Sequence, residues 1–540
     1  MMMTTQSYAD IILAGNAVFT GLSDKPEPAV IAIVGNRIAA IGQDEEITAA
    51  WTGEQTKRYE MGDRLIAPGL NDFHLHIMMG CISMESAFLF HARSEAEAIE
   101  MTRLHAENLP EGEWAIGFAW DAAYWDSQEL PTRASLDRVF PDRPVLLLHA
   151  EGHYAWVNSK ALELANITSA TENPPFGIIA KDENGEPTGI LYELAIGKVA
   201  DIAYDLPRDK RVAMLKQFMN EAAKYGVTSV SDLFATEMNR KLEDFTVFAE
   251  VEQQGELTVR IHLFPALNGD VKRAKRLREI YASDKLCVSG LKQFIDGVIT
   301  GRTAWLIGDY ADMPGHSSEP AFSEEEIKRW VEEADRAGFN VRFHAIGEAA
   351  IRLALDSFEE AAQKNGPRDR RHAVEHVEVI HPNDIARFGQ LGVIASMQPD
   401  HMAMSERGVY TERIGQAREP YVFATRSLQQ AGAPLAFSSD FPIDGLNPMI
   451  QLHRAVTRLD NTGEQPWHLE QRISLADALR AYTYGGAYGT SREHELGTLE
   501  VGKLADIAVL DRNLFAIPEA EIPQAQAVLT IVDGKVVYSA

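Results

Sequence analysis

The segment LNDFHLH, residues 70–76, constrains the fold of this chain more than any other stretch. It carries Asp72, His74 and His76 at every second position of an otherwise apolar run. Alternate side chains of a β-strand point to the same face, so two imidazoles and a carboxylate would share one small volume. Burying these groups without partners would cost several kcal/mol. The pattern therefore predicts a compensating group such as a divalent metal ion.

Composition restricts the partners of the chain. Its 540 residues are 45% hydrophobic and 24% charged, as in soluble globular proteins with more than one domain. The formal net charge of −28 repels nucleic acid and anionic membranes, so we expect a small-molecule substrate and neither of those partners. Only Cys81 and Cys287 occur, without a CxxC motif, and the first residues show no secretory pattern. We therefore expect a cytoplasmic protein.

Both ends of the chain are expected to form β structure. Residues 29–42 predict two strands around the turn Gly35-Asn36, residues 527–539 predict two around Asp533-Gly534, and residues 504–511 predict another. Isolated hairpins are marginally stable, so these strands should pair into one small β-sandwich domain, residues 1–66 and 485–540. Its surfaces leave room for a homodimer.

The middle, residues 67–484, alternates short apolar segments with amphipathic ones such as residues 324–338. This alternation predicts a parallel sheet covered by helices, and eight strands predict a (β/α)8 barrel. The predicted strands are residues 65–76, 226–234, 258–267, 290–297, 340–347, 372–380, 392–400 and 434–440. About 150 residues separate the first two, far beyond an ordinary loop. An insertion at about residues 80–215, rich in aromatic residues, is expected to line the active site.

Unusual polar residues lie on five of these strands. They are His74, His76, Lys292, His344, His376 and Asp440. The carboxyl ends of barrel strands converge on one face, so residues distant in sequence can meet there. Nitrogen and oxygen donors of this kind suit zinc.

The ordered motifs extend this pattern over nearly the whole chain. They are PGLNDFHLH, LKQFIDG, FHAIG, VEHVEV, SSDFP and LGTLEVGKLADIAVLD, with GHYAWVNSKAL and KQFIDGVITGRTAWL. This set resembles the amidohydrolase superfamily, specifically its YtcJ-like branch (amidohydrolase family 3), which includes N-substituted formamide deformylase. The resemblance implies a distorted (β/α)8 barrel, a β-sandwich built from both termini, and a metal-activated hydroxide that attacks an amide or related bond.

The same resemblance assigns roles to the polar residues. His74, His76 and Asp440 would bind one ion, and Asp440 would also serve as the proton-transfer group. A second ion would be bound by His344 and His376, with Lys292, carboxylated on its amine, bridging the two.

Carboxylation requires a neutral amine, which burial between Leu291 and Phe294 would favour for Lys292. If Lys292 stays unmodified, one ion would be held by His74, His76, His344 and Asp440, and His376 would face the substrate. The sequence favours two zinc ions over one.

Four further residues have expected roles. His153, Arg302 and His401 are candidates for substrate contact, although each can equally be a structural loop residue. Asp72 is expected to orient an imidazole through its free N–H rather than to bind metal.

These features predict a metal-dependent hydrolase of the class acting on carbon–nitrogen bonds other than peptide bonds. Its substrate would be a small, partly apolar amide, with Asp440 as general base and acid. A mononuclear deaminase and an ester or lactone hydrolase are alternatives on the same barrel. A non-catalytic scaffold is a further alternative, although such a protein could dispense with the metal ligands that are all filled here.

Overall fold

The computed structural model describes residues 8–43, 45–127, 129–234, 240–404, 406–460 and 462–540. Its strands are β1 (Ile11–Val18), β2 (Glu27–Val34), β3 (Arg37–Gly42), β4 (Lys57–Pro68), β5 (Leu70–Leu75), β6 (Ala87–Phe88), β7 (Ala115–Trp120), β8 (Val145–His149), β9 (Tyr154–Val157), β10 (Gly177–Lys181), β11 (Pro187–Glu193), β12 (Val227–Leu233), β13 (Arg260–Phe264), β14 (Leu286–Val288), β15 (Leu291–Phe294), β16 (Val341–Ala345), β17 (Ala373–His376), β18 (Ile394–Met397), β19 (Leu435–Phe437), β20 (Ile507–Leu510), β21 (Ala527–Val532) and β22 (Lys535–Ser539).

The α-helices are α1 (Glu45–Trp51), α2 (Ile77–Met84), α3 (Glu95–Ala106), α4 (Arg133–Val139), α5 (Ser159–Leu164), α6 (Gly197–Ala203), α7 (Arg208–Lys224), α8 (Thr246–Gln253), α9 (Val271–Ile280), α10 (Glu324–Arg336), α11 (Glu348–Asn365), α12 (Pro382–Leu391), α13 (Arg407–Ile414), α14 (Thr425–Gln430), α15 (Pro448–Thr457), α16 (Leu475–Arg480) and α17 (Gly486–Gly489). Among the described residues, none of these helices combines the length and the apolar character needed to cross a membrane.

Strands from both ends of the chain pair in one seven-stranded sheet, in the order β22-β21-β20-β4-β1-β2-β3. The two predicted hairpins are confirmed, with the positive φ angles of Gly35 (60°) and Gly534 (71°) at their turns. Alternate residues of β1, β2, β20 and β21 share one apolar cluster. These strands pair in one seven-stranded sheet, whereas a β-sandwich was expected. The expected domain boundary at residue 66 falls inside β4.

The eight strands predicted for the barrel all form, in two open parallel sheets. One has the order β14-β13-β12-β5, and the other runs from β15 to β19 in sequence order. A parallel bridge between Ala266 and Lys292 joins them on one side. On the other side, the Asp440 N–H donates to the His74 carbonyl and the His76 N–H donates to the Phe441 carbonyl, both at 2.8 Å. Neither sheet closes on itself, and the fold is an α/β arrangement like a TIM barrel.

Helix α10 shows how local sequence specifies this layer. Ser323 and Glu326 form a capping box, in which each side chain accepts a hydrogen bond from the backbone N–H of the other residue. Ile327, Trp330 and Val331 are buried on one face of the helix. The chain then reverses at Gly338, whose φ is 76°. The predicted helix over residues 324–338 is confirmed, with its last helical residue at position 336.

The insertion after β5 forms its own sheet, in the order β10-β11-β9-β8-β7-β6. Trp120 and Trp156, both fully buried, anchor its core. The loop between β8 and β9 brings His153 over the carboxyl ends of the barrel strands, with its ring centroid 5.1 Å from that of His344. The insertion therefore covers the face on which the predicted site lies.

Candidate metal centre

Two histidines and one aspartate meet where β5 and β19 end. The Nε2 atoms of His74 and His76 lie 3.3 and 3.2 Å from the same oxygen, Oδ1 of Asp440. That oxygen is buried and has no hydrogen-bond partner among the described residues. The ligand atoms of the three side chains all lie within 4.8 Å of one another. The structure thus brings together three residues that the sequence assigned to the first ion.

Hydrogen bonds at the other ring nitrogen determine how these histidines present Nε2. His74 Nδ1 lies 2.7 Å from a carboxylate oxygen of Glu375, and His76 Nδ1 lies 2.8 Å from the carbonyl oxygen of Leu233. Carboxylates and carbonyls only accept, so both Nδ1 atoms donate a proton. Each Nε2 keeps its lone pair on the side of Asp440, which is the tautomer of metal-ligating histidines held by a second hydrogen bond.

This donor set fits a divalent cation. Two imidazole nitrogens and one carboxylate oxygen are ligand types that zinc accepts. A cation between them would also satisfy the Asp440 oxygen that lacks a partner. Burial, followed by the charge of Lys292, lowers the pKa of His74 to about 4. His74 is therefore neutral near pH 7, as a metal ligand must be.

Two of the predicted metal ligands have a left-handed backbone conformation. The φ angle is 58° at Asp440 and 72° at His376, and it is 50° at the following Val377. Such angles are uncommon outside glycine and cost about 1–3 kcal/mol each, so surrounding structure must hold them. Strained residues of this kind cluster at functional sites, which agrees with the prediction for Asp440 and His376.

Asp72 does not orient an imidazole, and the sequence prediction for this residue is wrong. Its carboxylate accepts hydrogen bonds from the Ser439 N–H at 3.1 and 3.2 Å and from the Tyr482 hydroxyl at 3.1 Å. Because Asp72 precedes His74 by two positions on the same strand face, it lies one layer deeper and meets the chain just before Asp440. It therefore holds that turn, and Glu375 orients His74.

Lys292, His344 and His376 line the same cavity as the first three residues. Burial lowers the pKa of Lys292 to about 8, against the opposing effect of Glu375 and Asp440. The ring centroids of His344 and His376 are 4.5 Å apart. His344 Nε2 lies 3.2 Å from the Gly297 carbonyl. The six residues predicted as ligands are thus close neighbours in space.

A second group with metal-ligand chemistry differs from the predicted one. The ligand atoms of His376, Glu378 and His401 lie within 4.8 Å of one another. His376 Nδ1 donates to Gln398 Oε1 at 2.9 Å. His401 also approaches the first group, with Nε2 3.6 Å from Asp440 Oδ2. His401 therefore links the two groups, which the sequence did not indicate.

The site opens into a cavity whose empty volume of about 930 Å³ includes space open to solvent. His153 and His401 line it, in keeping with the substrate contact predicted for them. His153 Nδ1 lies 2.7 Å from a carboxylate oxygen of Glu193. Arg302 does not line the cavity, because its guanidinium pairs with Asp312 and its side chain is 35% exposed. Arg302 thus lies outside the described lining of the cavity, and its substrate contact stays a prediction.

The sequence analysis missed a buried ion pair beneath the site. Arg342 Nε donates to Glu375 at 2.6 Å, and Arg342 Nη2 donates to the Phe73 carbonyl at 2.6 Å. A charged residue in an apolar strand was the available signal, since Arg342 lies two positions before His344 on the same face. For Glu375 the strand alternation was misleading. Glu375 immediately precedes the predicted ligand His376, so the alternation places the two side chains on opposite faces. The left-handed conformation of His376 interrupts the alternation of side chains at this position.

Comparison with known proteins agrees with this geometry. The amidohydrolase family matches residues 61–538. Protein LONG AFTER FAR-RED 3 of Arabidopsis thaliana is 32% identical over 98% of this chain and 92% of its own. The amidohydrolase YtcJ of Bacillus subtilis is 27% identical over 97% and 98%. N-substituted formamide deformylase of Arthrobacter pascens is 26% identical over 94% of both.

A solved structure extends the similarity to the fold. An uncharacterized metal-dependent hydrolase from Pyrococcus horikoshii OT3 superposes with a TM-score of 0.75. It is 26% identical, and the alignment covers 94% of this chain and 99% of that protein. Since the family match spans nearly the whole length, the chain belongs to the amidohydrolase family.

Proposed function

We propose that this chain is a metal-dependent hydrolase that cleaves a carbon–nitrogen bond in a small, partly apolar amide. The observation that carries the proposal is the approach of the His74 and His76 Nε2 atoms to one unpartnered oxygen of Asp440. These three residues would hold a divalent ion, with zinc as the candidate. When bound, such an ion lowers the pKa of a water ligand to about 7 and polarises a carbonyl group.

Asp440 is suited to move the proton of the reaction. Its Oδ1 atom faces the first two histidines, whereas Oδ2 lies 3.6 Å from His401 Nε2 and 3.9 Å from His376 Nδ1. The carboxylate would accept the proton from the attacking water and deliver it to the leaving nitrogen. His401, on the Oδ2 side, would hold the carboxylate in place during both transfers.

Lys292 is the residue on which the number of ions depends. Its pKa of about 8 leaves a substantial neutral fraction near pH 8, which is the form that carbon dioxide carboxylates. The carboxylated side chain would bridge the first ion to a second one on His344 and His376. An unmodified Lys292 would leave a single ion, as in the mononuclear deaminases considered above.

Apolar side chains around the site favour a partly apolar substrate. Leu148, Ile196, Phe294, Ile346 and Ile443 line the cavity. N-substituted formamide deformylase, one of the relatives, is named for a carbon–nitrogen cleavage of this kind. By contrast, the name of Protein LONG AFTER FAR-RED 3 states no reaction, which keeps the non-catalytic scaffold as an alternative.

The test combines metal content with a matched substrate panel. Protein purified without chelator is analysed for divalent ions and assayed with N-benzylformamide, benzyl formate, a lactone and an amino-substituted heterocycle. We expect one to two ions per chain and release of benzylamine faster than turnover of the other three. Faster deamination or ester cleavage would establish the corresponding alternative. Absence of both metal and turnover would favour the scaffold.

A further inference from the structure

The wall of the cavity contributed by the insertion and by the segment after β17 is acidic. Glu151, in the loop between β8 and β9, lines the cavity together with Glu378. Lys292 is the only lysine in the described lining, which contains no arginine, and it belongs to the metal centre. A substrate carboxylate would therefore find no guanidinium to receive it.

Glu151 is built into this wall by specific contacts. The Thr300 hydroxyl donates a hydrogen bond to its carboxylate, and the Thr300 carbonyl accepts one from Arg413. The charged and titratable groups that act on Glu151 include Asp121, Glu378, His153, Arg413, Tyr154 and Tyr410. Burial, followed by Asp121 and Glu378, raises the pKa of Glu151 to about 8. The carboxyl group is thus largely protonated at pH 7 and would ionise if a cation bound beside it.

The hydroxyl group of Tyr204 is a further polar group at this cavity. Tyr204, just after α6, lines the cavity and is 1% exposed. Its hydroxyl has no hydrogen-bond partner among the described residues. An isolated buried hydroxyl is costly unless a ligand satisfies it, so this part of the cavity is suited to a polar group of the substrate.

We propose that the preferred substrates are amides whose end remote from the scissile bond carries a protonated amine, received by Glu151. This inference rests on the proposed function and names its substrate class. The apolar side chains that line the cavity would contact the body of the substrate. The net charge of −28 acts in the same direction, because it attracts cations to the protein and repels anions.

The test uses three formamides of the same length. They are the mono-formyl derivatives of 4-(aminomethyl)benzylamine, 4-ethylbenzylamine and 4-(aminomethyl)benzoic acid, so the remote group is cationic, neutral or anionic. We expect kcat/KM to be at least about tenfold higher for the cationic than for the neutral compound, the effect of one charge-assisted hydrogen bond, and lowest for the anionic one. Equal rates for the first two, or preference for the anion, would overturn the proposal.

Two variants test whether Glu151 produces the preference for the cationic compound. Glu151→Gln should reduce the ratio of kcat/KM between the cationic and neutral compounds by about tenfold, with both compounds assayed on the same preparation. The matched control Glu172→Gln, an exposed residue outside the cavity, should keep the full ratio. An undiminished ratio in folded Glu151→Gln would reject Glu151 as the receptor. The series on the unaltered protein decides the substrate class even if that variant fails to fold.

Binding separates this proposal from the proposed function. Calorimetry at pH 7 compares 4-(aminomethyl)benzyl alcohol, which is a cation at this pH, with the neutral 4-ethylbenzyl alcohol, in two buffers of different ionisation enthalpy. We expect tighter binding of the aminomethyl compound with release of up to one proton, as Glu151 ionises. Retained preference without turnover of any formamide would support the cation site while refuting amide hydrolysis. Equal binding of the two alcohols, without proton release, would reject the site.

Discussion

Asp440 is proposed both as a metal ligand and as the proton-transfer group. One of its carboxylate oxygens faces His74 and His76, and the other faces His401. Asp440→Asn keeps the shape and an oxygen that can still contact an ion, but it removes the base. We expect kcat to fall by about 10²- to 10⁴-fold, the usual contribution of general acid–base catalysis, with most of the metal retained. Single-turnover kinetics and metal analysis of the same preparation measure both quantities.

The control for this variant is Asp209→Asn, an exposed aspartate in the first turn of α7. It makes the same chemical change outside the cavity and should keep full activity. Full activity in Asp440→Asn would eliminate Asp440 as the proton-transfer group. Loss of activity accompanied by complete loss of metal would instead assign it a structural role as ligand.

At single residues, strand alternation predicted some neighbours and failed for others. It placed Asp72 and His74 on one face correctly, but it could not show that Asp72 reaches the Ser439 N–H instead of an imidazole. It hid Glu375, because the positive φ at His376 interrupts the alternation. Arg302 was proposed from its position after the fourth barrel strand, whereas a local ion pair with Asp312 holds it elsewhere. Such contacts depend on loop conformations that no short-range pattern contains.

Among the elements, α10 is tied to the start of β17 by one aspartate. Asp335, buried in the last turn of α10, accepts from Arg368 Nε at 2.7 Å and from Arg370 Nε at 2.9 Å, and lies 3.4 Å from His372 Nε2. Burial opposes ionisation, but these partners hold the pKa of Asp335 well below its usual range. We expect Asp335→Asn to lower the free energy of unfolding by about 2–3 kcal/mol at pH 7, because it removes the buried negative charge that accepts hydrogen bonds from two partly buried arginines.

The sign of the pH dependence follows from the lowered pKa. A depressed carboxyl pKa stabilises the fold fully above the unfolded value of about 3.9, and this contribution is lost as the pH falls below that value towards the folded pKa. The difference between the original protein and Asp335→Asn should therefore shrink as the pH falls below about 4. Urea denaturation at pH 7, 5 and 3.5 measures it. A difference that stays constant over this range would show that the ion pairs do not produce it.

Element prediction succeeded where the signal was local. The turns Gly35-Asn36 and Asp533-Gly534 predicted hairpins that form, and the periodicity of residues 324–338 predicted α10. The insertion was recognised only by its length and composition. Its sheet pairs strands of two to seven residues in both parallel and antiparallel fashion, over separations of up to 40 residues or so. Pairing partners of such short strands are chosen by tertiary packing, which no local pattern encodes.

At the scale of the whole molecule, the candidate metal centre lies on a seam. His74 and His76 come from the β5 end of one parallel sheet, and Asp440 comes from the β19 end of the other. The backbone contributes two hydrogen bonds there, from Asp440 N–H to the His74 carbonyl and from His76 N–H to the Phe441 carbonyl. An ion bound to all three side chains would hold the two sheets together at this point. Metal binding and global stability should therefore be coupled.

This coupling predicts a metal-dependent melting temperature. An ion that binds only the folded state adds about 2.7 kcal/mol to the free energy of unfolding when its free concentration is about 100 times its Kd. We expect chelator-treated protein to melt several degrees lower, with recovery when zinc is restored, as followed by circular dichroism. The double variant His74→Asn with His76→Asn should melt at the same temperature with and without zinc, because its ligands are gone. Asp335→Asn, destabilised far from the seam, should retain the full zinc-dependent shift. An equal shift in the double variant would place the stabilising ion elsewhere in the molecule.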